Sequence, residues 1–464
     1  MTHMHKIVLV NPPNDKTVLR DMYSSTISKG LYNWPNADLL TLSAVLKPHA
    51  NVFILDANTL KLSQHEALGR ITAEKPSLVV AAVGASVKND DYAFIRSLKK
   101  ALPETKIAGT GGILYHNGKA EMEDLPELDA CLTNFTTKDI VHYLTGDYAA
   151  LSHIVYRHPE KGIVTPEKKP TDKNFIIGLP SHDDLPLGGY GLSHGRNKPL
   201  TSMITSFGCP GKCSFCVAGK IPYSIRDVND VMREIRHVKG LGVKEIFFRD
   251  NAFADSAKKG AELLQAMIRE NAGMSFVSDM RASAVSPEKA VLLNKAGCHA
   301  LHIGVESASQ STLDAYHKKV KIREIENAFS LLKKNGILTM GYFILGLPGE
   351  TENDVMNTIR FAIDLDCDYA SFNIPIPIFG TDLRKEAEDK GWLKKDADIY
   401  DGSSEAKIGT GLLDDSRLNA LQKTAYKRFY FRPRYFKKAL MRIRTPYQLR
   451  MLVSEFLMMT LKKK

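Results

Sequence analysis

Residues 206–216 read Ser206-Phe207-Gly208-Cys209-Pro210-Gly211-Lys212-Cys213-Ser214-Phe215-Cys216 and set three cysteines at the spacing C-x3-C-x2-C. The apolar Met203 and Ile204 before the run read as a strand, and Gly208, Pro210 and Gly211 as the loop that follows it. Three thiolates that close in sequence can converge on one soft metal centre, and short cysteine runs of this kind often hold iron–sulfur clusters. A closed cubane takes four protein ligands. This run supplies three, and Cys131, Cys298 and Cys367 stand singly and far away. One iron is then left open to a small molecule, the arrangement of a catalytic site. Zinc would want a fourth Cys or His at ligand spacing, and none is near. A disulfide framework suits a secreted chain, and the cysteines here are few. An electron-transfer ferredoxin would carry a fourth cysteine in a far shorter chain.

Downstream, apolar runs alternate with amphipathic ones. Glu245–Phe248, Phe276–Ser278, Leu301–Val305, Leu338–Leu345 and Tyr369–Pro375 read as strands, and Val228–Lys239, Ala261–Glu270, Pro287–Ala296, Ile322–Asn335 and Asp354–Leu365 as helices. With the strand before Cys209 these make six β/α units. They predict a partial (β/α)6 TIM-like barrel over 199–385, with chemistry at the C-terminal strand ends. Asp250, Asn251, Arg281, Glu306 and Ser307 all directly follow apolar runs, where a barrel turns them to its mouth. A carboxylate there suits an ammonium and an arginine suits a carboxylate. The plain alternative at each position is a loop cap or a surface ion pair.

Upstream, Lys6–Asn11, Val52–Leu55, Leu78–Val83 and Lys106–Ala108 read as buried parallel strands, with helices at Leu39–Leu46 and Tyr92–Leu102. The fold class is therefore α/β: a Rossmann-like doubly wound parallel sheet over 1–150, a linker with a short hairpin over 151–198, the barrel, and a basic helical region over 386–464. Ligands of such sheets bind beyond the carboxyl ends of the strands, here Pro12-Pro13, Asp56, Gly84-Ser86 and Gly109–Gly112.

Charged residues at 25% and hydrophobic ones at 44% are ordinary for a globular protein. No apolar run reaches the roughly 18–20 residues of a membrane span. Met1–Lys6 lacks the apolar core of a leader, so the expected location is cytoplasmic. The net charge of +11 is largely a property of the tail from Lys427, where Arg428-Phe429-Tyr430-Phe431-Arg432-Pro433-Arg434-Tyr435 interleaves aromatics with bases. Nucleic acid, peripheral contact with an anionic membrane, and a helical cap with snorkelling lysines all suit such a tail.

The C-x3-C-x-Φ-C pattern, with Phe215 before the last cysteine, resembles the signature of the radical S-adenosylmethionine (radical SAM) enzymes. The resemblance implies that Cys209, Cys213 and Cys216 hold a [4Fe-4S] cluster and that S-adenosyl-L-methionine occupies its fourth iron. Reductive cleavage then gives a 5′-deoxyadenosyl radical that abstracts hydrogen from a substrate. It assigns S-adenosylmethionine contacts to Phe215 and to the strand ends. Asp250 and Asn251 take the amino group or ribose, and Arg281, Glu306 and Ser307 the carboxylate and ribose. Gly346 and Pro348 are where the backbone approaches the adenine.

The N-terminal order is similar to the cobalamin-binding domain of one large subfamily, which implies cobalamin contacts at Pro12, Asp56, Ser86, Gly109, Gly111 and Gly112. The D-x-H-x-x-G motif is absent, so the lower face of the cobalamin has no histidine ligand. Ala130–Thr137 lacks the subfamily's acidic Gly-Glu-Gly-Glu stretch, and Trp34-Pro35-Asn36-Ala37 replaces its Pro-Pro-Leu-Gly loop. A Rossmann-like domain that only supports the barrel is the alternative. The implied reaction is methyl transfer to an unactivated carbon, or an oxidative cyclisation like that of the anaerobic tetrapyrrole cyclases. Its substrate is small and hydrophobic, and a flavodoxin or ferredoxin donates electrons. RNA methylthiotransferases are the rival reading, but they carry three further clustered cysteines where this chain has Cys131 alone. A non-catalytic iron–sulfur protein that binds RNA or membrane through the tail is the third. The polar strand ends argue against it, and nucleic acid is the less expected partner.

Overall fold

The computed structural model describes residues 5–28, 30–394, 408–409, 411–443 and 445–461. The N-terminal part supplies β1 (His5–Asn11), β2 (Val18–Asp21), β3 (Ser24–Ile27), β4 (Ala50–Asp56), β5 (Leu78–Ala82), β6 (Lys106–Thr110), β7 (Ala130–Leu132), β8 (Ile154–His158) and β9 (Gly162–Val164). All but β2 and β3 join one sheet in the order β4-β1-β5-β6-β7-β8-β9. The strands run parallel from β4 to β7, and β8 and β9 close the edge antiparallel. The period of two along β1 divides its side chains between two cores. Ile7 and Leu9 meet α1 (Ala37–Leu46) and α5 (Asp139–Thr145). Val8 and Val10 meet α2 (Gln64–Ala73), α3 (Lys88–Ala101) and α4 (Gly112–Asp124). Asn36 caps α1 by accepting the Leu39 N–H, and every residue of that helix is buried. A helix apolar on all sides fits a position between two sheets.

Two sequence expectations are corrected here. The first sheet holds a fifth parallel strand, β7, and the hairpin expected in the 151–198 linker is β8–β9, which extends the sheet antiparallel to Val164. The second correction is the hairpin β2–β3, which follows Pro12-Pro13 and which no sequence signal marked.

A small sheet then ties the linker to the cysteine run. Its order is β10 (Asn174–Phe175), β13 (Ser224–Arg226), β12 (Ser206–Phe207). Beyond it, β11 (Leu200–Met203), β14 (Glu245–Phe248), β15 (Ser275–Met280), β16 (Cys298–Glu306), β17 (Leu338–Ile344) and β18 (Tyr369–Asn373) form six parallel strands in sequential order. That is the expected partial barrel. The crossovers carry α6 (Val228–Gly240), α7 (Ala257–Arg269), α8 (Pro287–Lys295), α9 (Gln310–Ala315), α10 (Ile322–Lys334) and α11 (Glu352–Asp364), and their apolar faces share one core with the outer faces of the strands. Along β17, buried Thr339, Gly341 and Phe343 alternate with half-buried Leu338, Met340, Tyr342 and Ile344. Tyr369, Ser371 and Asn373 of β18 are half-buried in the same rhythm. The inward set is half-buried, so the inner face of the barrel is partly open to solvent.

An open barrel leaves β18 with unpaired backbone groups, a template for wrong pairing unless covered. After α12 (Asp382–Asp389), α13 (Asp415–Tyr430) supplies that cover. Tyr430 Oη accepts the Ala370 N–H and donates to the Ala370 carbonyl, and Gln422 Nε2 donates to the Phe372 carbonyl. The tail continues as α14 (Pro433–Arg442) and α15 (Pro446–Leu461). No helix of the described residues is long and apolar enough to cross a membrane.

Candidate active site

The cysteine run leaves β11 and is held from three sides. Asp250, on the loop after β14, accepts the Thr205 N–H, the Thr205 hydroxyl and the Ser206 hydroxyl at 3.0, 3.0 and 2.6 Å. The Gly208 N–H donates to Tyr23 Oη of the β2–β3 turn at 2.9 Å. The Ser214 N–H donates to the Tyr316 carbonyl, and its hydroxyl meets His317 Nδ1 at 3.0 Å. All three thiols are free and half-buried. A methyl on Gly211 would sit 3.4 Å from Cys209 Sγ, 3.8 Å from Arg281 Nε and 4.0 Å from Cys213 Sγ. The sulfurs thus border a shared space with a guanidinium on its wall. Burial pushes the three thiols up, Cys216 to about 11, while Arg281 and Lys318 pull Cys209 and Cys213 down. Buried thiols set among cations suit a positively charged iron centre that takes thiolates. Among the described residues no three Cys, His, Asp or Glu side chains share single-ion distance. The spread-out ligands of a cubane need none, so the donor set fits a cluster.

The strand-end residues divide into two groups. Arg281 and Glu306 lie near the sulfurs. Asn251 Nδ2 and Asp255 Oδ1 are buried without a hydrogen-bond partner, and Arg281 reaches Asp255 only at 3.4 Å. Unsatisfied buried polar atoms carry a large penalty, which a polar ligand relieves. Glu306 has φ +68°, uncommon for a residue with a side chain, and it accepts from Lys318 Nζ at 2.6 Å. Lys318 lies between His317 and Lys319, both also at positive φ. Such local strain marks positions that the surrounding structure over-determines.

The other assigned residues make their contacts within the chain. Asp250 is 1% exposed and its oxygens are taken by Thr205 and Ser206. Ser307 donates to Glu350 Oε1 at 2.6 Å, and Glu350 Oε2 accepts the Gly346 and Leu347 N–H groups. Gly346 sits at φ +82°, and a Cβ there would lie 2.2 Å from Leu418 Cδ2. Its missing side chain makes room for α13 and not for an adenine. The Pro348 carbonyl accepts from Tyr316 Oη, and Phe215 packs 6.3 Å from the Tyr316 ring. Lys318, Asp255, Tyr316 and Glu350 carried no motif. They come from separate loops that only the fold brings together.

Inside the barrel lies a polar network that the sequence did not mark. His302 Nδ1 is 2.7 Å from Asp279 Oδ1 and 3.0 Å from Tyr342 Oη, and its Nε2 is 2.8 Å from His194 Nε2. Burial holds His194 well below the usual imidazole range, so it is neutral. Arg249 lies over the Trp34 and Phe247 rings, which meet edge to face, and donates to Asp21 of the hairpin at 2.8 Å.

A family model for the radical SAM superfamily matches residues 203–362, from β11 into α11. The chain carries a radical SAM domain. An uncharacterized methyltransferase of Pyrococcus horikoshii is 27% identical, with 93% of this chain and 94% of that protein covered. The anaerobic magnesium-protoporphyrin IX monomethyl ester cyclase of Rubrivivax gelatinosus is 27% identical over 77% of this chain and 67% of its own. The radical S-adenosylmethionine methyltransferase TsrM from Kitasatospora setae, solved with cobalamin and a [4Fe-4S] cluster, has the same fold. Its TM-score is 0.67 at 19% identity, over 83% of this chain and 78% of its own.

Ahead of the radical SAM domain, the six positions marked for cobalamin are occupied by the chain itself. Asp56 accepts from Asn11 Nδ2, Thr59 and Tyr190 Oη, the last at 2.6 Å. The Pro12 carbonyl accepts from Arg20, and Ser86 bonds Ser25. A Cβ on Gly109 would meet Leu114 at 2.4 Å, on Gly111 the Val83 carbonyl at 2.2 Å, and on Gly112 the Met22 carbonyl at 2.6 Å. The β2–β3 hairpin lies over this part of the edge, locked by the fully buried Arg20–Asp91 pair. The open part of the edge is farther along. A cavity of about 220 Å³ is lined by Tyr115, Thr133, Asn134, His153, Lys168 and, from the cysteine loop, Phe207. Thr133 Oγ1 there, and His116 Nε2 on α4, are buried without hydrogen-bond partners.

Proposed function

We propose that this radical SAM enzyme works with cobalamin to functionalise an unactivated carbon of a small hydrophobic substrate, by C-methylation or oxidative cyclisation. The observation that carries the reading is the space shared by Cys209, Cys213 and Arg281, with Lys318 beside it. Cys209, Cys213 and Cys216 hold the cluster as thiolates. Arg281 faces the carboxylate of S-adenosylmethionine, and Asn251 and Glu306 its polar head, with Lys318 holding Glu306 in place. When bound, cluster and S-adenosylmethionine supply reductive generation of a hydrogen-abstracting carbon radical, and cobalamin supplies a methyl carrier.

Cobalamin fits the β6–β7 end of the edge, where unpartnered Thr133 and His116 atoms await the polar side arms of a ligand. It does not fit at Pro12, Asp56 and Ser86. The cavity adjoins the cysteine loop through Phe207, Ile221 and Pro222, so a ligand there lies beside the radical site. On the inner face of the barrel, the Asp279–His302–Tyr342 group orients the polar end of a substrate and holds a proton at the His302 ring. Cys131 is wholly buried in the sheet core with its thiol pushed up, so it serves no methylthio-type second cluster. A flavodoxin or ferredoxin donates the electron, and the setting is cytoplasmic. Anaerobic incubation with reductant and S-adenosylmethionine tests the reading: slow release of 5′-deoxyadenosine is expected, and its absence from cluster-replete protein would overturn it.

A further inference from the structure

From Lys427 to Lys464 the chain carries twelve Lys and Arg and one acid, Glu455. That excess equals the +11 of the whole molecule, so residues 1–426 are neutral in sum. The charge is confined to the helical tail. So is much of the exposed apolar surface: of fourteen exposed large apolar side chains among the described residues, six fall between Phe431 and Val453.

The tail helices have an inner and an outer side. Inward, Leu418, Leu421, Ala425, Phe429, Tyr435 and Ala439 join the barrel core. Outward on α14, Phe436, Lys437, Leu440 and Met441 are exposed at the i, i+4 spacing of one stripe, with Leu440 at 63% and Met441 at 70%. Arg434 lies beside this stripe, and Lys427, Arg428 and Phe431 precede it on the exposed side of α13 and its end. The same mixture recurs on α15 as Leu449, Arg450 and Val453. A soluble cap over the barrel has no need of large apolar residues on its outer side. Large apolar residues interleaved with Lys and Arg on a short amphipathic helix match a bilayer interface: the apolar groups enter the acyl boundary and the bases meet anionic headgroups.

We propose that the outer face of α13, α14 and α15 docks this protein on an anionic lipid surface. The inference rests on the charge and exposure of the tail and is independent of the radical reading. Charge complementarity selects the occupant. A nucleic acid would use the same bases, but it would gain nothing from Leu440 and Met441, which have no ring to stack on a base.

The test is co-sedimentation of the full chain with vesicles of phosphatidylcholine alone and of phosphatidylcholine mixed with phosphatidylglycerol, at physiological salt. Binding to the anionic vesicles only is expected. Replacing Lys427, Arg428, Lys437 and Arg450 by Gln should weaken it roughly fivefold per charge. Leu440→Gln with Met441→Gln should weaken it about tenfold or more while leaving iron content unchanged. Equal binding to both vesicles, or to neither, overturns the proposal. Wild-type affinity in the Leu440/Met441 variant also overturns it, and single-stranded RNA displacing the vesicles from both proteins alike would assign the tail to nucleic acid.

Discussion

At the residue scale, the cluster ligands were legible because their spacing is written in eleven consecutive residues. Lys318 was not, because nothing in Tyr316-His317-Lys318-Lys319 distinguishes a functional lysine from a surface one. Only the fold shows that this loop grips the cysteine run at Ser214 and sets an ammonium against Glu306. The Lys318 and Glu306 side chains are 14% and 9% exposed. Removing one partner leaves the other charge buried, so Lys318→Met is expected to destabilise by about 3–5 kcal/mol and to weaken S-adenosylmethionine binding. Lys318→Arg should restore much of both, read by denaturant titration and by equilibrium binding to the reconstituted enzyme.

Asp250 gives a pH signature. Burial pushes its carboxyl up to about 6, against the downward pull of the Ser206 and Thr205 bonds. Its ordinary value is 3.8. Between these values the folded state binds more protons than the unfolded, so this group's contribution to stability falls as pH rises through 6. Asp250→Asn should remove that slope between about pH 4 and 6. An unchanged pH profile of the unfolding midpoint would show that the carboxyl is not buried as described. Gly346 illustrates a general limit: a glycine reports that a side chain is missing but not which neighbour fills the space, and here it is Leu418.

At the scale of elements, the six barrel strands were readable from alternating apolar runs, and Glu245–Phe248 matches β14 residue for residue. The β2–β3 hairpin was not. Its strands, Val-Leu-Arg-Asp and Ser-Ser-Thr-Ile, are short, and their burial comes from the partners they cover and not from an apolar pattern of their own. That one missed element covers the edge near Pro12 and Ser86, and of the expected positions it is the β6 end, at Gly109–Gly112, that adjoins the site we propose for cobalamin. Gly112→Ala, which drives a methyl toward the Met22 carbonyl, should lift the hairpin and destabilise by about 1–3 kcal/mol. Adding hydroxocobalamin during reconstitution, then desalting, should leave about one cobalamin per chain whose Co(II) EPR spectrum lacks nitrogen splitting from an axial ligand. Thr133→Val should weaken that retention, whereas Asp56→Asn should leave it unchanged. The reverse pattern would return the site to the β4 end.

At the scale of the whole molecule, the two sheets meet through their carboxyl edges. Arg249 at the end of β14 binds Asp21 of the hairpin, Tyr23 holds Gly208, and Tyr190 holds Asp56. The cysteine run sits where these contacts converge, so the first sheet positions the loop that carries the three cysteines. This arrangement was only partly legible in the sequence: the order of the two domains was, but the residues that join them are separated by up to 228 positions. The central claim is that Cys209, Cys213 and Cys216 together hold a single open cluster at this junction. Iron and sulfide analysis with EPR of the reduced protein, on anaerobically reconstituted wild type beside Cys213→Ala and Cys298→Ala, tests it most directly. The expected result is about four irons per chain in wild type and Cys298→Ala, with the signal lost in Cys213→Ala. A full cluster in the Cys213 variant would contradict it.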